Sequence, residues 1–423
     1  MLNRILSNPY PSKFVAILIS VLVAISAQGS SDINIFNAIC YVGFVLLTFL
    51  IIVAVIIQNK SVVPYELIKC SVLFLFFTFI SLMSLYLSDI EYIRFLAVYF
   101  NYILFFFGLL FGIVTCYYFD EDFIVKWFFT ASVINGIYIF LVFFSSGENM
   151  FTARYHIVGS LVPIIFIPIM CKFLLKSYVD ESIDLSWYYY FITFLAFVLL
   201  IISQTRTYFI GLAGAFVFFS IFINRKMPFG KESLKIILIV FFVILSIENL
   251  VGVSDSLDNF FERFMLIGTN DDITSTTRVA EYSYQMNFIF SSAERVIFGS
   301  GLGQQFFYDD KYYYALQDVY TIDQYSEKGG TTFGHSLYVY TLFSSGLFVF
   351  LYIIYKALFF VFIAIKNRHL IQSSFLDSFL CLALFIFMVF GFFMSPMGAR
   401  ESAYVFGVIV GCLYARSRNW FFR

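Results

Sequence analysis

Apolar runs of about 20 residues recur along the chain, and they restrict its possible folds more than any other feature. A run of this length crosses the hydrocarbon core of a bilayer as a helix, since only a helix satisfies its own backbone hydrogen bonds there. The chain of 423 residues is 61% hydrophobic and 13% charged, whereas soluble domains carry about 25% charged residues. The sequence therefore predicts a polytopic, all-α membrane protein embedded in the lipid bilayer.

The apolar pattern predicts about 12 transmembrane helices. They are placed at 14–28, 34–57, 67–87, 95–118, 123–144, 157–175, 187–203, 207–223, 234–252, 335–355, 375–394 and 403–415. The first run resembles a signal-peptide core, but no small-x-small cleavage site follows it, so we interpret it as an uncleaved span. Nine helices are thus predicted in residues 1–252, a large loop at 253–334, and three helices in residues 335–423.

Lysine and arginine obey the positive-inside rule when the N-terminus is placed in the cytoplasm. Most of the 26 cations then lie inside, both termini are cytoplasmic, and the loop at 253–334 (the outer loop) lies outside. The inner cations are mostly lysine and the outer ones mostly arginine. The planar guanidinium group of arginine binds phosphate or carboxylate through two parallel hydrogen bonds. The outer arginines are therefore candidates for binding an anion. The net charge of −1 gives no indication of a nucleic-acid partner.

The outer loop is acidic, contains many Phe and Tyr residues, and has helical patterning at 278–290. The apolar face of this predicted helix carries Val279, Tyr282, Met286 and Ile289, and its polar face carries Arg278, Glu281 and Gln285. We expect a short helix capped by Thr276 or Thr277, lying at the outer membrane surface with its polar face toward water. No cysteine occurs in the loop, which excludes a disulfide framework there.

Two arginines are candidates for catalysis. Arg206 lies in the tight connection 203–207 between two apolar runs, where a charge near membrane depth indicates function. The alternative is an arginine that reaches lipid phosphates from a short hairpin, and the neighbouring Gln204 and Thr205 favour function. Arg278 begins the loop helix with Glu281 one turn on. Taken alone, this pair is better explained as a solvated salt bridge that contributes little.

The segment 298–303 contains three glycines, which permit a tight turn and a close backbone approach to a ligand. Gly301 and the preceding Arg295 are therefore candidates for substrate binding, as is Glu281 on the polar face of the loop helix. Neither the Lys-Ser/Thr of a P-loop nor a preceding strand accompanies the segment, so we exclude nucleotide binding. Arg400 and Glu401 lie in the last outer turn, where either they pair with each other or Arg400 completes an anion site.

His335 lies where the outer loop re-enters the membrane. Imidazole titrates near neutrality, so it can exchange a proton with a substrate hydroxyl. The alternative is an interfacial histidine bonded to backbone. His156 is a weaker candidate, and His369 beside Arg368 is explained by topology. No group of His, Asp, Glu or Cys has metal-ligand spacing, so we expect neither a metal nor a cofactor.

The order of these features resembles the O-antigen polymerase and O-antigen ligase superfamily of bacterial envelopes. The matching parts are the polar connection at 203–207, the helix from Arg278 to the glycines at 298–303, and His335 followed by Gly346. They cover about residues 200–360. The resemblance implies a GT-C-like membrane fold with a large periplasmic loop containing short helices, placed in the bacterial inner membrane.

The resemblance also implies a donor and a chemistry. The donor would be an undecaprenyl-pyrophosphate-linked oligosaccharide, with a chain-length regulator as a further partner. Arg206 and Arg278 would bind the lipid pyrophosphate, and His335 would face the acceptor hydroxyl. Arginines can neutralise the charge that develops on a pyrophosphate leaving group where a soluble transferase uses a metal.

Three functions are compatible with this pattern. Ligases of the superfamily commonly show His-x-His or His-Asn at the re-entry point, whereas this chain has Gly334, His335 and Ser336. We therefore favour a polysaccharide polymerase over a ligase that passes the chain to lipid A-core. A flippase ranks lowest, because transporters place ionisable residues midway along their spans, which are almost free of charge here.

Overall fold

The computed structural model describes most of the helical parts of the chain. The described residues are 9–26, 35–58, 65–88, 90–146, 206–224, 273–308, 334–392 and 394–422, with single positions 161, 165, 168, 191, 194 and 312. Within these ranges the regular structure is helical and contains no strand. The prediction of an all-α protein is thereby confirmed for the described residues.

The helices are numbered in chain order. They are α1 (Pro9–Ser26), α2 (Ile35–Gln58), α3 (Tyr65–Leu87), α4 (Tyr92–Tyr118), α5 (Glu121–Ser146), α6 (Arg206–Phe218), α7 (Ile273–Ile289), α8 (Ala293–Phe298), α9 (Leu337–Lys366), α10 (Arg368–Ser373), α11 (Phe375–Phe390) and α12 (Arg400–Phe422). A π-helical segment, Phe219–Asn224, continues α6, and a 3₁₀ turn, Pro396–Gly398, precedes α12.

Four of these helices are long and apolar enough to cross a membrane, namely α3, α4, α9 and the part Glu121–Ile139 of α5. Shorter apolar stretches lie in α1, α2, α6 and α11. The side chains that these helices expose are large and apolar, among them Leu75 at 66% and Phe362 at 66% exposure, as expected of a surface that faces lipid. The chain is therefore a multi-pass membrane protein, while the count of about 12 spans stays a prediction.

The predicted spans that fall on described residues each coincide with a helix, but two sets of bounds are wrong. Span 335–355 is part of a helix that runs on to Lys366, because a single lysine can sit in an apolar helix without ending it. Span 403–415 is the middle of the longer α12. Apart from single positions, the predicted spans 157–175, 187–203 and 234–252 lie outside the described residues.

Helices α4 and α12 run parallel and pack through two pairs of glycines. Gly108 and Gly112 lie on α4, and Gly407 and Gly411 lie on α12. A Cβ atom at any of them would collide with backbone oxygens of the other helix. Both pairs have the Gly-x-x-x-Gly spacing that lets helix backbones approach closely in membranes, where association depends on such packing. The α4–α12 contact therefore has a signal in the sequence of each helix.

We expect Gly407→Leu to lower the thermal stability of the purified protein, because the leucine forces two backbones apart and overpacking of this kind costs about 1–3 kcal/mol. The measurement is the unfolding midpoint in detergent together with the monodisperse yield. Gly398→Ala is the control, because a Cβ atom there meets nothing within 4 Å. An unchanged midpoint for Gly407→Leu would contradict the packing argument.

Ionic contacts gather at the end of the bundle where α5 and α11 begin. Lys13 Nζ lies 2.7 Å from Asp120 Oδ2, and this hydrogen bond lowers the pKa of the Asp120 carboxyl. Arg416 donates from Nε (2.7 Å) and Nη2 (2.8 Å) to the buried carboxylate of Asp377, and Nη2 also lies 2.6 Å from Glu121 Oε1. The Lys13 pair holds α1 at the start of α5, and the Arg416 pairs hold α12 against α5 and α11 at the same end of the bundle.

Helix α9 is broken at Gly346, whose φ of 78° and ψ of −179° are not helical. Such a break frees backbone carbonyls from the helical ladder, and they need new donors when they are buried. The donors come from the outer loop. Phe343 O accepts from the Ser300 N–H at 2.7 Å and from Ser300 Oγ at 2.6 Å, and Ser344 O accepts from the Gly301 N–H at 3.1 Å.

The glycine segment (residues 299–303) lies against backbone on two sides. A Cβ atom at Gly346 would collide with the carbonyl oxygen of Ile297, at the end of α8. A Cβ atom at Gly303 would lie 2.8 Å from the Arg94 carbonyl carbon on α4. The absence of side chains therefore lets the outer loop dock between α4 and α9, which fixes it to the transmembrane helices.

We expect Gly346→Ala to destabilise the docked outer loop, because alanine disfavours a positive φ by about 1–3 kcal/mol and its Cβ atom has no room. Limited proteolysis should cleave the variant faster within residues 273–308, and its unfolding midpoint should fall. Gly214→Ala is the matched control, because a Cβ atom there makes ordinary contacts at 3.7 and 3.8 Å. Equal cleavage rates for wild type and Gly346→Ala would show that the break does not hold the loop.

Candidate functional site

The polar face of α7 is turned into the protein, so the predicted orientation toward water is wrong. Glu281 and Gln285 are completely buried, whereas Val279, on the predicted apolar face, is 53% exposed. The reason is tertiary packing. Ala280 and Ile289 lie in one buried cluster with aromatic side chains of α9, and a helix that packs through this side buries its polar residues as well.

The predicted cap of α7 is also wrong. The helix begins at Ile273, so Thr276 and Thr277 lie in its first turns instead of at its start. The polar threonines do not interrupt the helix, and Thr277 is buried at 4% exposure. Threonine has a modest helix propensity that packing readily overrides. As a result Arg278 lies within α7, one turn before Glu281.

Glu281 and His335 are joined by two short hydrogen bonds. The His335 backbone N–H donates to Glu281 Oε1 at 2.7 Å, and His335 Nδ1 lies 2.6 Å from Glu281 Oε2. The Glu281 side chain has 0% exposure, while the His335 side chain is 43% exposed. The histidine is thus held from behind by a buried carboxyl group and presents part of its ring to the outside.

Burial raises the pKa of Glu281 to about 8, and the positive charge of Arg278 opposes this rise. A carboxyl group that lies next to an imidazole and ionises in this range can exchange a proton with it near neutral pH. Such perturbed groups concentrate at functional sites. The structure therefore brings together Arg278, Glu281 and His335, three of the residues that the sequence singles out.

The first turn of α6, which begins at Arg206, lies at the same end of the protein as His335. The Tyr208 ring packs on Phe390 with the ring centroids 5.5 Å apart. Directly after Phe390, the Gly391 carbonyl accepts from Ser336 Oγ at 2.9 Å. The end of α11 therefore connects the start of α6 with the start of α9.

The same end of α11 also holds α7. Tyr282 donates its hydroxyl to the Phe392 carbonyl at 2.5 Å, and Ser336 caps α9 by accepting from the Val339 N–H at 3.3 Å. Neither Tyr282 nor Ser336 was a site candidate from the sequence, although Ser336 directly follows His335. Their contacts are between elements distant in sequence, which single-sequence patterns do not reveal.

Three predicted binding residues have other contacts in the structure. Arg295 donates from Nη1 to Ser291 Oγ at 2.6 Å and lies 4.0 Å above the Phe288 ring centroid. Gly301 contributes to the docking of the glycine segment on α9. Arg400 is exposed at the start of α12, 5.6 Å from the Tyr41 ring centroid. Their roles in substrate binding stay predictions.

Gln285 is a buried residue whose polar atoms lack partners among the described residues. Both Oε1 and Nε2 are buried without a hydrogen bond, one turn beyond Glu281. A Cβ atom at Gly334 would lie 2.9 Å from Gln285 Nε2, so this glycine lets α7 approach the residue before His335.

No group of three or more His, Cys, Asp or Glu side chains could hold a metal ion within the described ranges. Glu281 and His335 contact each other, but no third metal-ligating side chain joins them among those residues. Independence from metal stays a prediction.

Comparison with known protein families identifies the central part of the chain. Residues 191–354 match the family model described as O-antigen ligase. These residues are therefore similar in sequence to O-antigen ligases. The match contains the connection with Arg206, the outer loop with Arg278 and Glu281, and His335, and it confirms the resemblance to the O-antigen polymerase and ligase superfamily. A search of curated proteins finds no match to the chain.

The matched family has a broadly defined activity. Enzymes of this type are glycosyltransferase-like polymerases or ligases that act on lipid-linked oligosaccharides. The site fits that class, because it combines an exposed imidazole with a nearby guanidinium at one end of a membrane-embedded helical bundle.

Proposed function

We propose that the protein is a polymerase of O-antigen or a related surface polysaccharide. It transfers a glycan chain from undecaprenyl pyrophosphate onto the next lipid-linked repeat unit, at the periplasmic face of the inner membrane with both termini cytoplasmic. The observation that carries the proposal is the convergence of Arg278, Glu281 and His335 within residues 191–354, the part of the chain that matches the O-antigen ligase family model.

The proposed chemistry is a substitution at the anomeric carbon of the donor sugar. The acceptor hydroxyl oxygen bonds to that carbon, the bond from carbon to pyrophosphate oxygen breaks, and the hydroxyl proton passes to His335 Nε2. The leaving undecaprenyl pyrophosphate takes the electron pair and gains negative charge. Arg206 and Arg278 stabilise that charge, because a guanidinium binds phosphate oxygens in bidentate fashion.

The distribution of charge supports the proposed orientation. The Lys13–Asp120 and Arg416–Asp377 pairs lie at one end of the bundle. His335 lies just before the first residue of α9, and the last residue of α9, Lys366, lies on the predicted cytoplasmic side of the membrane. An outer location of His335 suits a reaction between lipid-linked glycans that have already crossed the membrane.

Replacing His335 or Arg278 should abolish long glycan chains while leaving the protein in the membrane. We expect His335→Ala and Arg278→Ala each to lower polymer formation by about 100-fold, since each removes a proton acceptor or a charge stabiliser. The measurement is the length distribution of surface glycan on gels, with protein abundance checked by immunoblot.

The controls use the same residue types on α10. His369→Ala and Arg368→Ala remove a histidine and an arginine from the helix that follows the far end of α9. These variants should retain long chains. Long glycan chains in both the His335→Ala and the Arg278→Ala strains, with the variant proteins at normal abundance, would contradict the assignment of the site.

A ligase is the second candidate, because the matched family model is described as O-antigen ligase. A deletion strain separates the two functions. Under our proposal it carries single repeat units on lipid A-core. Under the ligase alternative its core carries no glycan, and lipid-linked polymer accumulates. The second pattern would replace the polymerase assignment with the ligase.

A further inference from the structure

The Glu281 carboxyl group uses both of its oxygens on His335. Oε1 accepts from the backbone N–H and Oε2 contacts Nδ1, at 2.7 and 2.6 Å. With its N–H and Nδ1 both held by one buried group, the ring has little freedom to rotate. Nδ1 faces a fully buried oxygen, and the side chain as a whole is 43% exposed, which leaves Nε2 as the ring nitrogen that Glu281 does not hold.

We propose that Glu281 is a positioning residue whose proton selects the tautomer of His335, and thereby switches Nε2 between a proton acceptor and a proton donor. This inference rests on the proposed function for its catalytic consequence. It changes the role of Glu281 from the substrate binding that the sequence predicts, since a carboxyl group with 0% exposure and both oxygens engaged has no free side for a sugar.

The switch follows from which atoms of the two side chains can donate a hydrogen bond and which can accept one. An ionised carboxylate only accepts, so it requires a proton on Nδ1 and leaves a lone pair on Nε2, which can then take the acceptor's proton. A protonated Glu281 instead donates to Nδ1, and the neutral ring then carries its proton on Nε2. Only the first arrangement supports general-base catalysis by Nε2.

The charged and titratable groups that the described residues place around Glu281 are Arg278 and Tyr282 on α7, and His335 and Tyr340 from the side of α9. Burial raises the pKa of Glu281 to about 8, with Arg278 opposing. Raising the pH through this value removes the carboxyl proton and so produces the arrangement with a free Nε2. We therefore expect glycan transfer to increase as the pH rises through about 8.

Gln285 contrasts with Glu281 on the same face of α7. It is equally buried, yet its amide atoms have no hydrogen-bond partner in the described part of the chain, whereas both carboxyl oxygens of Glu281 are occupied. Burial of α7 polar residues therefore does not by itself create partners. The pairing of Glu281 with His335 is specific to that position.

The first experiment compares wild type with Glu281→Gln, Glu281→Asp and the exposed control Glu294→Gln in proteoliposomes supplied with lipid-pyrophosphate-linked repeat units. We expect Glu281→Gln to lower kcat at least about 10-fold with little change in KM, and to lose the rise in rate near pH 8. Glu281→Asp should recover part of the rate and of the pH dependence, whereas Glu294→Gln should match wild type. A Glu281→Gln enzyme with wild-type kcat and pH profile would overturn the proposal.

A double-mutant cycle separates positioning from folding. If Glu281 acts through His335, Glu281→Gln should cause no further loss in a His335→Ala background. A loss of the same size in both backgrounds would mean that Glu281 only supports the fold, and the inference would be wrong.

A readout independent of transfer distinguishes failure of the inference from failure of the proposed function. Diethyl pyrocarbonate acylates an accessible imidazole nitrogen that carries a free lone pair, which is Nε2 only when Nδ1 holds the proton, and mass spectrometry measures its reaction with His335. The reaction should rise near pH 8 in wild type, where Glu281 loses its proton, and this rise near pH 8 should be absent in Glu281→Gln. This difference would support the inference even if wild type formed no polymer. Identical pH dependence in both proteins would overturn the inference even if wild type formed polymer.

Discussion

The need to satisfy backbone hydrogen bonds inside a membrane governs the rest of this structure. The apolar runs meet it by forming helices. Helix α9 departs from this pattern, because Gly346 breaks it and frees the carbonyls of Phe343 and Ser344. The glycine segment of the outer loop supplies the donors. The hydrogen bonds lost at the break in α9 are thus replaced by donors from a distant part of the chain, and these new hydrogen bonds hold the outer loop in place.

The candidate site depends on this docking. Once the glycine segment lies against α9, the helix α7 that precedes it packs on the start of the same α9. There Glu281 meets His335, and Tyr282 bonds to the end of α11. The site therefore lies between the outer loop and the membrane helices, and its exposed element is the His335 ring. The ion pairs of Arg416 hold the opposite end of the bundle and are separate from the site.

Single-sequence reasoning succeeded where a local pattern has one physical solution. Long apolar runs in lipid form helices, so each predicted span that falls on described residues coincides with a helix. It failed on α7, where the face with Glu281 and Gln285 was expected to meet water and is buried. Amphipathic periodicity identifies two faces, but not which face the fold covers. The carboxyl group is tolerated inside because His335 supplies a partner and burial raises its pKa.

The sequence by itself determined that the chain is a helical membrane protein, and it singled out Arg278, Glu281 and His335 as candidates for function. The reason is that hydrophobic length and residue chemistry are properties of local segments. Only the tertiary structure decided that Glu281 binds His335, that the glycine segment donates hydrogen bonds to the broken helix α9, and that the polar face of α7 is buried. Those contacts join parts of the chain that are far apart in sequence, and their geometry depends on how the helices pack.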